Sequence, residues 1–189
     1  MKCALVVFDR MTSLDFIGFY DPLTRLKTMQ FMADLDWHVC ATTPVVTDDR
    51  GLRLEADRVG QSLAGYDLLF VPGGFGTRQL QHDGAFMDWL GTARDAPLKV
   101  SVCTGALLLG AAGFLRGLAA TTHPSAFSEL APYCATVADA RVVDSGAVIT
   151  ARGVTSAIDL GLHLVERLAG HNARERIAAQ MDYPYRWQP

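Results

Sequence analysis

The sequence predicts a single α/β domain with a mostly parallel central sheet. Three observations carry that prediction. Strand-like and helix-like stretches alternate almost throughout the chain. The strand-like stretches are continuous apolar runs, as in strands buried on both faces. At 189 residues and 50% hydrophobic content, the chain is long enough to fill one such core.

The first run, Lys2-Cys3-Ala4-Leu5-Val6-Val7-Phe8, reads as a strand. It stops at Asp9-Arg10, too short for a secretory h-region, and no small-residue cleavage site follows, so a cytoplasmic protein is expected. A helical pattern spans Phe16 to Met29. Asp15 is its expected N-cap, because a side-chain oxygen there accepts from free backbone N–H groups. Pro22 falls inside this pattern and is expected to bend the helix or delay its start. Residues 37–42 read as a second strand. The stretch 45–59, with its turn at Asp48-Asp49-Arg50-Gly51, reads as a hairpin or excursion.

Residues 66–71 form a third core strand, which runs into Pro72-Gly73-Gly74-Phe75-Gly76. Residues 84–95 form a helix with Phe86, Trp89 and Leu90 on one face. Residues 98–102 are the next strand. Cys103 follows at once, before a largely apolar helix that begins near Gly105. Short strands and turns occupy 118–150, with a hairpin closed by Asp144-Ser145-Gly146. A helix over 155–169 carries Ile158, Leu162 and Val165 on one stripe. A shorter helix covers 173–181, and the tail 183–187 reads as irregular.

The formal net charge is −3 and 20% of residues are charged, so nothing invites nucleic acid or an anionic membrane. No run approaches the ~20 apolar residues that span a bilayer. The four cysteines, Cys3, Cys40, Cys103 and Cys134, form no C-x-x-C pair and have no zinc-like spacing. Neither a disulfide framework nor a structural metal is expected. Cys3 and Cys40 lie in apolar runs and read as small buried hydrophobes.

In parallel sheets ligands bind beyond the carboxyl ends of the strands. That rule selects three places, which deliver Asp15, Gly73-Gly74 and Cys103. Cys103 sits on a strand–turn–helix junction like that of a nucleophile elbow, with Gly105 in the second glycine position of G-x-S-x-G and Ser101 in the first. A helix N-terminus beside the thiol is expected to lower its pKa and favour thiolate. Gly73-Gly74 either only turn the chain or offer N–H groups to an oxyanion. Asp15 either caps the helix or serves as an acid held protonated beside the thiolate, and the two roles are compatible. His123, in Thr121-Thr122-His123-Pro124, is either structural or a partner of the thiol.

The order of these motifs resembles the DJ-1/PfpI superfamily. The resemblance rests on Asp15 after the first strand, Val71-Pro72-Gly73-Gly74, Val102-Cys103-Thr104-Gly105-Ala106, Ala120-Thr121-Thr122-His123 and Ile149 through Asp159. Leu14-Asp15 and Ser101-Val102-Cys103-Thr104-Gly105 are similar to the isonitrile hydratase subgroup, and Thr104 stands where protease-like members carry His. Departures fall at Phe19 and Pro124, which are expected on the pocket wall or at the dimer edge.

The resemblance implies a flavodoxin-like three-layer sandwich, a homodimer, a small-molecule substrate and no cofactor. It also implies catalytic roles for Cys103, Asp15 and Thr104, with Gly73, Gly74 and His123 around the substrate. The implied activity is hydration of an isonitrile to an N-substituted formamide through a thioimidate on Cys103. Glyoxalase- or deglycase-type action on 2-oxoaldehydes is the alternative, and a stand-alone redox or ligand sensor is the other. A regulator carrying a helix-turn-helix is not expected.

Overall fold

In the computed structural model, which describes residues 1–184, the chain begins with β1 (Lys2–Val6), α1 (Ser13–Thr28), β2 (Asp36–Ala41), β3 (Val45–Thr47), β4 (Arg53–Glu55) and β5 (Arg58–Val59). Next come β6 (Leu68–Val71), α2 (Thr77–Leu80), α3 (Gly84–Gly91), β7 (Leu98–Val102) and α4 (Gly105–Ala111). The last part holds β8 (Ala119–Ala120), α5 (Phe127–Leu130), β9 (Thr136–Val137), β10 (Val142–Asp144), β11 (Val148–Ala151), α6 (Ser156–Ala169) and α7 (His171–Gln180).

Seven strands form one sheet in the order β10-β11-β7-β6-β1-β2-β5. All neighbours are parallel except β10 and β11, which form the predicted hairpin. The helices α1, α6 and α7 pack on one another, while α4 packs with α2 and α5. This is the three-layer flavodoxin-like sandwich. Its central strands are buried on both faces, which is why β1 and β6 read as unbroken apolar runs. Cys3 and Cys40 are buried among them, as expected. The stretch 45–59 supplies a separate antiparallel hairpin, β3–β4, and the edge strand β5.

The register of the sheet builds the site. Val71 on β6 pairs with Ser101 on β7, so continuing both chains by two residues sets Gly73 beside Cys103. Leu5 on β1 pairs with Phe70, and beyond that pairing Met11 forms an isolated bridge with Gly74. Three strand ends therefore converge where the chain switches sides of β1, the place where such sheets bind ligands.

Two local expectations are corrected. First, α1 starts at Ser13, after Thr12, so Asp15 lies in its first turn and does not cap it. The Asp15 carboxylate is drawn instead to the Gly73 N–H, and the Thr12 hydroxyl to Asp49. Second, α1 runs unbroken through Pro22. The ring sits against Gly161 of α6, where any side chain would collide with it. Gly18 makes the matching close approach, since a Cβ there would lie 2.8 Å from the Ala157 Cβ. Close packing over this glycine pair offsets the hydrogen bond that proline removes.

The four-residue helices α2 and α5 were not expected. Of the tail, Tyr183 and Pro184 are irregular, and 185–187 lie outside the described residues.

Candidate active site

Cys103 adopts φ +56°, a left-handed conformation that is costly for a residue with a Cβ. The surrounding chain enforces it. The Cys103 N–H donates to the carbonyls of Ala151 (3.0 Å) and Arg152 (2.7 Å), and the Thr122 hydroxyl donates to the Cys103 carbonyl at 2.7 Å. Gly105 lets α4 start tight against the end of β6, since a Cβ there would lie 2.7 Å from the Pro72 carbonyl oxygen. The sharp turn predicted between strand and helix is present.

Gly73 is the keystone of the floor. A Cβ on it would lie 2.6 Å from the Thr104 nitrogen, 2.7 Å from the Cys103 Cβ and 2.9 Å from the Asp15 Oδ2. Only glycine lets these three groups meet. The Gly73 N–H donates to Asp15 Oδ2 at 3.0 Å, and the Gly74 N–H donates to Thr104 Oγ1 at 3.0 Å. Both amides donate to protein acceptors. Buried N–H groups must be paired, and here the pairing fixes Asp15 and Thr104. The Thr104 hydroxyl has a single proton, which it gives to the Gly74 carbonyl at 3.1 Å or to the sulfur, but not to both.

Asp15 is fully buried, and its Oδ1 has no hydrogen-bond partner. Burial raises its pKa from 3.8 to about 7; the Gly73 and Cys103 hydrogen bonds only partly offset that, and Asp49 adds to it. The thiol does not behave as expected either. Burial pushes Cys103 from 9.0 to about 12, and the Asp15 charge pushes in the same direction, against the Thr104 N–H and hydroxyl. A rise of that size is on the order of 4 kcal/mol, whereas a helix N-terminus offers ~0.3–1 kcal/mol. Desolvation outweighs the helix N-terminus and pushes the thiol toward its protonated form.

Cys103, Thr104, Gly74 and His123 line one cavity of about 470 Å³, with Phe75 and Val154 among its other walls. Asp15 and Gly73 adjoin Cys103 without lining that cavity. His123 Nδ1 accepts from the Ser125 N–H at 3.2 Å, so in the neutral ring the proton sits on Nε2. The ring lies over Gly153, whose Cβ would come within 3.2 Å of Nε2. His123 thus faces the cavity but forms no hydrogen bond with the thiol.

Sequence reasoning missed Gly153, Thr122, Phe75 and the tip of the β3–β4 hairpin, whose Asp49 and Arg50 line the same cavity. Gly153 carried a signal, since it falls within the stretch Ile149 through Asp159 already singled out. Phe19 is corrected: it stacks on Phe70 with ring centroids 4.0 Å apart, in the core and not on the pocket wall. Pro124 lines an adjoining cavity that shares His123. Among the described residues no cluster of His, Cys, Asp or Glu is placed to hold a metal ion, and no helix is long and apolar enough to cross a membrane.

Residues 1–167 match the DJ-1/PfpI family. The chain is 34% identical to the isonitrile hydratase of Pseudomonas putida, over 97% of this chain and 78% of that protein. It is 26% identical to protein DJ-1alpha of Drosophila melanogaster, over 98% and 87% respectively. The crystal structure of a ThiJ/PfpI family protein from Pseudomonas syringae superposes with a TM-score of 0.87 at 30% identity, covering all of this chain and 77% of that one.

Proposed function

The chain belongs to the DJ-1/PfpI family, and from that premise we propose that it is a cysteine-dependent isonitrile hydratase, a lyase that adds water to R–N≡C and releases the N-substituted formamide. One observation carries the reading: a thiol that lines a cavity and a buried carboxyl with an orphaned oxygen meet at Gly73. An isonitrile carbon needs both of these, a sulfur nucleophile and a proton.

The pair performs this with one proton in motion. Ionised Asp15 takes the Cys103 proton as sulfur attacks the isonitrile carbon, then delivers it to that carbon. The net change is addition of S–H to carbon, giving the thioimidate R–N=CH–S. Water then adds to the same carbon. The C–S bond breaks, the sulfur recovers a proton, and R–NH–CHO leaves. Atoms balance at one isonitrile plus one water, and the reaction as written uses no cofactor. Thr104 steadies the sulfur while it is anionic, through its N–H and hydroxyl. His123, which lines the cavity and in its neutral form carries its proton on Nε2, would donate to the nitrogen or the incoming water.

The test follows loss of benzyl isonitrile and, separately, of methylglyoxal, in wild type and Cys103→Ala. Equimolar N-benzylformamide from wild type, and loss of at least ~10³-fold in the variant, is the expected result. Lactate from methylglyoxal without formamide would establish the 2-oxoaldehyde alternative. The sensor alternative depends on an exposed, readily ionised thiol, whereas Cys103 is buried and its pKa is raised.

A homodimer belongs to the same proposal. Leu14 and Ile17 stand exposed one turn apart on α1, and a sedimentation mass of twice 20.5 kDa is expected.

A further inference from the structure

One cavity wall carries a side chain that the proton chemistry does not use. Phe75 is 62% exposed, more than any other exposed large hydrophobic side chain in the described residues. It lines the cavity that holds Cys103. The turn that presents it is fixed on both sides. Gly74 adopts φ +130° and bridges Met11, with no room for a Cβ against the Arg10 carbonyl and Met11 backbone. The Gly76 N–H donates to the Arg10 carbonyl at 3.1 Å, and the Thr77 hydroxyl donates to the Gly74 carbonyl at 2.8 Å. The backbone under the ring is thus set before any ligand arrives, which lowers the ordering cost of a contact.

Geometry and charge then say what the ring meets. An isonitrile is linear, so with its carbon on the Cys103 sulfur its substituent is carried straight away from the floor. The cavity it would enter is the one that Phe75 and Val154 line with Cys103. The two guanidinium groups of that wall are already paired. Arg78 is bidentate on Glu129 at 2.9 and 2.8 Å, and Arg50 meets Asp49 at 2.6 Å. The large apolar surface of the lining is that of Phe75 and Val154, beside the polar Thr12, His123 and Ser125.

We propose that Phe75 is the specificity-determining contact for the substituent on the isonitrile nitrogen, selecting aryl or branched apolar groups over small or charged ones. The inference rests on the isonitrile reading of the site.

Two measurements separate the two ideas. The first compares alkylation of Cys103 by iodoacetamide and by N-benzyliodoacetamide, each normalised to its rate with glutathione. Wild type is expected to prefer the benzyl reagent. That preference should fall about tenfold in Phe75→Ala and be retained in Phe75→Trp. The second compares kcat/KM for benzyl and methyl isonitrile, where the same ratio should fall by a similar factor. An unchanged ratio, or an equal fall for both reagents, overturns the role of Phe75. So does a change of sedimentation mass with the ratio intact, which would assign the ring to a contact between copies. Absence of isonitrile turnover in wild type overturns the isonitrile reading, while the alkylation ratio judges Phe75 alone.

Discussion

At the scale of single residues, burial raises the pKa of both Asp15 and Cys103, and the Asp15 charge raises Cys103 further. Their apparent pKa values, about 7 and about 12, belong to the pair. Below about 7 the pair holds both protons and the thiol has no base. Above it the pair holds one, which in the proposed mechanism is the form that adds S–H to carbon. The expected kcat/KM therefore rises with pH through about 7 and stays high on the alkaline side of neutrality. Asp15→Asn removes that limb and should slow turnover ~10²–10⁴-fold, the usual worth of a positioned acid–base group. A pH–rate profile of both proteins checks this, and an unchanged limb in the variant assigns it to another group.

Gly73→Ala forces a Cβ among the Thr104 nitrogen, Cys103 and Asp15. It should cost at least ~10²-fold in kcat/KM, because small misplacements of reacting groups are expensive, while far-ultraviolet circular dichroism stays native. The cysteine, its turn and the glycine pair were legible in the sequence, because strand, turn and helix follow one another there without a gap. The raised thiol pKa was not, since sequence shows the helix after Cys103 but not the water removed around it.

At the scale of elements, the strand ends that build the floor were readable from continuous apolar runs, and β7 was placed to the residue. The start of α1 was not. Asp15 fits the chemistry of a cap, and only the position of Gly73, far along the chain, shows that its carboxylate is used elsewhere. Pro22 likewise reads as a break until Gly161 is seen to receive its ring. The helices α2 and α5 are four residues each, too short to show a period.

The contact between α1 and α6 matters for the site because α1 carries Asp15. Gly161→Val drives a branched side chain into Pro22 and the Phe19 carbonyl. The expected cost is ~1–3 kcal/mol, as for overpacked cores, measured as a lower midpoint in urea with an unchanged slope. Activity of the folded variant should fall as well, because moving α1 lifts Asp15 from the Gly73 N–H. A destabilised variant with full activity would mean that α1 and the site are not coupled.

At the scale of the whole molecule, a fold that sets a carboxyl at its switch point and removes its water carries a cost in stability, and the sign of that cost can be measured. Asp15 has a raised folded pKa, from 3.8 to about 7. Below about pH 4 it is protonated in both folded and unfolded chains, so it costs nothing. Between about 4 and 7 the unfolded chain loses the proton that the folded chain keeps, and stability falls as pH rises. Above about 7 the loss is complete. Cys103 does not confound this window, because its thiol is protonated in both states until well above neutrality.

Asp15→Asn keeps an acceptor for the Gly73 N–H and removes the charge. It should therefore be more stable than wild type at pH 8, by roughly 1–3 kcal/mol, with the advantage gone near pH 4. Urea denaturation of both proteins across that range decides it. A difference that does not vary with pH would mean that Asp15 is not held above its ordinary range, and the shared-proton chemistry would lose its basis. A more stable but inactive variant would instead show that the buried carboxyl is kept for its chemistry, at the expense of the fold.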